Sequence, residues 1–188
     1  MITKLGPKGG METGHEYFQY SCMNGVIRVL RPPTFFHDAR GEYVEIFNEA
    51  QFPGDAPRFV CDDISVSRKG ALRGIHGDEK TWKLVTCLAG AFYLVVVCHD
   101  VTSKMYGQHA AFTLNAVNRL QVLIPPKWGN GHLALEDGTI FFYKQSQAYD
   151  RAGQFTLYWN NPALGIHWPM KPTIISARDD NPEARLNA

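Results

Sequence analysis

Charge of one sign is what this chain lacks most plainly: 19 Lys and Arg stand against 18 Asp and Glu, a formal net of +1 over 188 residues. Without a basic excess there is little to pair with a phosphate backbone or an anionic bilayer, so neither nucleic acid nor membrane is expected as a partner. Long apolar runs are missing too. The longest, Ala91 to Cys98, has the length of a buried strand and falls far short of the roughly 18 residues a membrane helix needs. Residues 1–20 contain no apolar signal-like core, from which a cytoplasmic location is expected. Cysteine is scarce. The four present (Cys22, Cys61, Cys87, Cys98) show no C-x-x-C or other metal-ligand spacing and read as reduced, small hydrophobes. No repeat, low-complexity tract or linker divides the chain, so one domain over residues 1–188 is expected. Only residues 1–20, loosely held or at a dimer interface, and the polar stretch Arg178 to Ala188 stand outside its core.

What is present is 45% apolar residues, 12% of the chain aromatic, punctuated by 17 Gly and 11 Pro. Between these breakers lie short β-branched and aromatic segments: Val26 to Leu30, Tyr43 to Asn48, Phe59 to Ser67, Ala71 to Ile75, Trp82 to Leu88, Ala91 to Asp100, His109 to Thr113, Leu120 to Ile124, Gly131 to Ala134, Thr139 to Gln147 and Phe155 to Trp159. About eleven strands at a spacing of roughly ten residues leave no room for crossover helices. An all-β jelly-roll barrel or sandwich with short peripheral helical segments is predicted, its mouth the natural ligand site.

Three ionisable side chains interrupt such strands: His76, Lys83 and Tyr143. Period-2 counting puts Arg73 and Ile75 on one face and His76 on the other, and makes Lys83 an inward-facing cation. A metal-binding cupin would show two histidines in its first motif, whereas His76-Gly77-Asp78-Glu79 has one. His132 in Pro126-Lys127-Trp128-Gly129-Asn130-Gly131-His132 adds only a second, too thin a ligand set, so no metal is expected.

Read in order, longer fragments carry more. Asp38-Ala39-Arg40-Gly41 with Glu45, Ile64 through Arg73-Gly74-Ile75-His76, Lys83-Leu84-Val85, Gln121 through Ile124-Pro125-Pro126, Tyr143-Lys144, Trp159-Asn160-Asn161-Pro162 with Trp168-Pro169, and Ser176-Ala177-Arg178-Asp179 together resemble the dTDP-4-dehydrorhamnose 3,5-epimerase family. The resemblance spans roughly residues 26 to 180. It implies a cofactor-free, metal-free cupin homodimer with exchanged N-terminal strands. The implied reaction inverts C3, C5 or both, beside the 4-keto group of a nucleotide-linked sugar, in building surface polysaccharide.

By the same resemblance His76 is the base, Asp179 its orienting carboxylate, Lys83 the cation at the enolate oxygen and Tyr143 the acid on the far face. Arg73 and Arg40 match phosphate-binding positions, Arg40 serving the neighbouring subunit. Glu45, Gln121, Asn130 and Asp63 complete the expected substrate contacts.

Departures from the pattern bear on substrate. The usual F-A-H-G-F reads Trp128-Gly129-Asn130-Gly131-His132, so Asn130 replaces a second histidine. Tyr93 stands for an Asp, Leu123 for a Trp, Cys61 for a Gln and Asp63 for an Asn, and the stretch between His76 and Lys83 is shortened without its usual Gln. GDP in place of dTDP, a heptose in place of a 6-deoxyhexose, and inversion at a single centre all stay open. So do two other classes, a 3,4-ketoisomerase and a non-catalytic sugar-binding cupin.

Overall fold

The computed structural model describes residues 18–32, 35–52 and 57–184. The expectation for residues 1–17 falls outside them. Among the described residues fourteen strands form: β1 (Phe18–Cys22), β2 (Ile27–Arg31), β3 (Phe35–Asp38), β4 (Gly41–Val44), β5 (Cys61–Ser67), β6 (Ala71–Asp78), β7 (Lys83–Ala89), β8 (Ala91–Cys98), β9 (His109–Asn115), β10 (Gln121–Ile124), β11 (Trp128–Ala134), β12 (Thr139–Gln145), β13 (Gln154–Thr156) and β14 (Ile174–Ile175). One sheet runs β1-β2-β10-β7-β12-β5. The other runs β13-β6-β11-β8-β9, with β14 added in parallel beside β6. This is the jelly roll expected, with β1, β3 and β14 beyond the anticipated strands. The single helical element among the described residues is a 3₁₀ turn, Pro162–Leu164, capped by the Asn161 side chain, which accepts from Ala163 N at 3.0 Å.

The continuous apolar run of β8 has a simple cause: both of its faces are covered. Phe92, Leu94 and Val96 enter the core between the sheets with Val85, Val122 and Phe141. Val95 and Val97 turn outward, where Leu157 and Leu164 lie over them. Burying each such side chain stabilises by roughly 1.5–3 kcal/mol, and truncating Leu94 to Ala would cost about 2–5 kcal/mol.

The β3–β4 hairpin forms a separate two-stranded sheet, tied to the barrel by the Arg119–Glu42 ion pair. No helix among the described residues is long and apolar enough to cross a membrane.

Candidate active site

The site begins with one extra residue. Asn130 of β11 pairs with His76 of β6, and His132 pairs with Arg73, so Gly131 alone spans what Gly74 and Ile75 span on β6. This β-bulge shifts the phase of the strand. Arg73 and His76 therefore line the same cavity, while Ile75 packs on the far side against Val95, Val97 and Leu157. Strict alternation had separated Arg73 from His76; the bulge overrides it. Gly74 is required here, because its φ of +114° favours glycine and a Cβ would stand 2.5 Å from Gly131 Cα.

The chain returns to β6 through β14. Thr173 N donates to Gly70 O at 2.9 Å, and Ile174 and Ile175 pair with Ala71 and Leu72. Asp179 is thereby set beside the bulge, its Oδ1 2.6 Å from His76 Nε2 and its Oδ2 accepting from Gly74 N at 3.2 Å. Burial alone would raise this carboxyl. The His76 hydrogen bond and charge, with the Gly74 and Ser176 hydrogen bonds, outweigh it and hold Asp179 below its ordinary value. The expectation of a loose polar end from Arg178 onward is thus corrected for Arg178 and Asp179, while 180–183 stay exposed. Asp179 is 4% exposed, and the Arg178 guanidinium donates to Thr156 Oγ1 at 3.1 and 3.0 Å and to Gln154 Oε1 at 3.2 Å.

The facing wall comes from the other sheet. Lys83 on β7 lies opposite Gln145 on β12, and Tyr143 follows two residues before on the same inward face. Lys83 is 6% exposed, and its Nζ donates across the barrel to Asn130 Oδ1 at 3.1 Å and His76 O at 3.4 Å. Burial lowers its pKa to about 8, against a smaller opposite pull from Asp78. Tyr143 moves the other way, up to about 12, through burial first and then the negative charge of Asp63.

Together these walls enclose a cavity of about 650 Å³. His76, Asp179, Lys83, Tyr143, Arg73 and Asn130 all line it. Four residues expected at the substrate do not. Asp63 lies behind the wall, accepting from Gln145 Nε2 at 2.7 Å. Gln121 is buried in β10 and donates to Ile46 O at 2.6 Å. Glu45 accepts from Asn48 Nδ2 at 2.9 Å, and exposed Arg40 is paired with Asp38 at 2.6 Å. Conversely, Tyr149, Arg151, Gln154 and Arg178 line the cavity unanticipated. The turn following Tyr143 was the available signal for the first two. Among the described residues no three His, Cys, Asp or Glu gather as a metal site.

A jelly roll with a polar cavity between its sheets, carrying titratable groups on both walls, is the architecture of a cupin epimerase. The model of the dTDP-4-dehydrorhamnose 3,5-epimerase family matches residues 23–185, and the chain belongs to that family. It is thus an isomerase of the nucleotide-sugar epimerase type. It is 32% identical over 162 residues to the dTDP-4-dehydrorhamnose 3,5-epimerase of Shigella flexneri, covering 83% of this chain and 90% of that one. It is also 32% identical over 150 residues to the dTDP-4-dehydrorhamnose 3-epimerase of Streptomyces niveus, covering 77% and 72%. Among solved structures, the dTDP-6-deoxy-D-glucose-3,5-epimerase of Legionella pneumophila in complex with dTDP-4-keto-L-rhamnose superposes with a TM-score of 0.82. That match is 28% identical and covers 92% of this chain and 100% of that one.

Proposed function

We propose that this protein inverts C3, C5 or both of a nucleotide-linked 4-keto sugar by proton transfer through an enolate, in the cytoplasm, supplying sugar for surface polysaccharide. The observation that carries the reading is the His76–Asp179 contact of 2.6 Å on one wall of the cavity, facing Lys83 and Tyr143 on the other. With Nε2–H donating to Asp179, the lone pair of the imidazole sits on Nδ1, as a base requires. His76 removes the proton α to the carbonyl. Lys83, little solvated, stabilises the negative charge that develops on the C4 oxygen. Tyr143, whose proton is held firmly, returns a proton from the opposite face. No step calls for a cofactor.

Arg73 is assigned to the diphosphate. In this chain Arg40 and Glu45 lie away from its own cavity, which supports a homodimer in which exchanged strands carry them to the neighbouring site. Asn130 cannot act as a base near neutral pH. Its place beside Lys83, together with a relative named as a 3-epimerase, favours inversion at a single centre as the second reading.

The test is incubation in D2O with dTDP- and GDP-linked 4-keto sugars, followed by NMR location of the deuterium. Deuterium at C3 or C5 with the carbonyl still at C4 is the expected result. A carbonyl moved to C3 would instead identify a ketoisomerase, and no exchange with any of them would overturn the reading.

A further inference from the structure

His132 places a polar ring where an apolar one would pack. It stacks on Phe141 with centroids 4.1 Å apart and planes at 9°, and leans on Phe92 at 5.3 Å. It is 3% exposed, lines the cavity, and its Nε2 is buried with no hydrogen-bond partner in the protein. Burial first, then the Arg73 charge, drives its pKa down to about 3, so the imidazole is neutral at any working pH. An unpaired buried nitrogen costs free energy that a phenyl ring in the same slot would avoid. Such a group in a native cavity calls for a partner that comes and goes.

We infer that His132 is a specificity-determining residue that hydrogen-bonds the sugar hydroxyl next to the anomeric carbon of the bound nucleotide sugar. The inference rests on the reading given under Proposed function. Three observations choose this group. A neutral imidazole offers one donor and one acceptor, which suits a hydroxyl, whereas an anion finds its cation in Arg73. The carbonyl oxygen belongs to Lys83, in the row of His76 and Asn130. His132 lies in the neighbouring row, opposite Arg73, which is the diphosphate side of the sugar. The hydroxyl nearest the diphosphate is the one beside the anomeric carbon.

The experiment uses the whole protein and two pairs of probes. Ring ¹⁵N NMR of His132 is followed while dTDP-glucose or dTDP-2-deoxyglucose is added, neither of which turns over. A shift with the first and none with the second is expected, and equal response or no response overturns the proposal. In parallel, kcat/KM is measured for dTDP-4-keto-6-deoxyglucose and its 2-deoxy counterpart in wild type and His132→Phe. Wild type should prefer the hydroxylated substrate by about tenfold or more, and His132→Phe should not distinguish them. A variant that keeps the preference, or loses both rates equally, shows a packing role only and overturns the proposal. If the NMR response is as expected while neither 4-keto sugar exchanges deuterium, the epimerase reading falls and the His132 contact stands.

Discussion

Lys83 Nζ lies 3.1 Å from Asn130 Oδ1, a hydrogen bond that joins the two sheets across the cavity. The amide satisfies the buried amine without neutralising it, so burial is left free to lower its pKa to about 8. If the protonated amine stabilises the enolate, kcat/KM falls about tenfold per pH unit above about pH 8. Lys83→Met should lower activity by about 10²–10³-fold and abolish that limb. Asn130→Asp adds an opposite charge, raises the Lys83 pKa and moves the limb to higher pH. A pH–rate profile for the three proteins checks this.

Asp179→Asn removes the carboxylate that fixes the His76 tautomer, and kcat should fall by at least about 10²-fold with the fold intact by circular dichroism. His76→Asn should cost as much, and the double variant little more, because the two act as a unit. Strictly additive losses would separate them.

The pH dependence of stability tests the same carboxyl. Its pKa is depressed in the folded chain, so its contribution is present above the unfolded value of 3.8 and is lost as pH falls through the lower folded value. The Tm difference between wild type and Asp179→Asn should hold steady above about pH 5 and shrink below pH 3.8.

Tyr143→Phe removes the acid and leaves the base. Deuterium should still wash in at the carbon served by His76, while inversion of configuration drops by about 10²-fold or more. NMR of the product after incubation in D2O reads both at once.

Gly74→Ala puts a methyl against Gly131 Cα at a φ that disfavours it. The expected loss exceeds about 1–3 kcal/mol, measured by denaturant unfolding, with activity lost through displacement of His76.

Arg40→Ala and His76→Asn should each be nearly inactive, yet refolding them together should restore about a quarter of wild-type activity. Half the dimers are then mixed and one of their two sites is whole. No recovery would place Arg40 outside the neighbouring site.

Much of the barrel was legible in the strand spacing and in the run Phe92 to Val97, because two-sided burial writes itself as uninterrupted apolar sequence. The site was less so. A bulge shifts every later side chain by one face, and nothing local to Arg73-Gly74-Ile75-His76 marks it except a glycine. β14 has two residues, and Arg178 to Asp180 is polar because its partners are polar groups of the barrel, among them His76, Gly74 N, Thr156, Gln154 and Trp159, so composition alone reads it as solvent-exposed. Only the ordered motifs pointed to Asp179. The direction of His132 was illegible for a similar reason: alternation leaves it open, and the Phe141 stack that fixes it is a tertiary contact.

The return of the chain to β6 also makes the two halves of the proton-transfer pair distant in sequence. Residues up to Gln145 supply every strand of the two sheets but β13 and β14, with the amine, the imidazole and the phenol, whereas the carboxylate comes 103 positions after its histidine. A chain cut before residue 179 lacks the carboxylate that fixes the imidazole tautomer. Truncation between β14 and Asp179 should therefore silence proton transfer while every strand of both sheets stays in the chain.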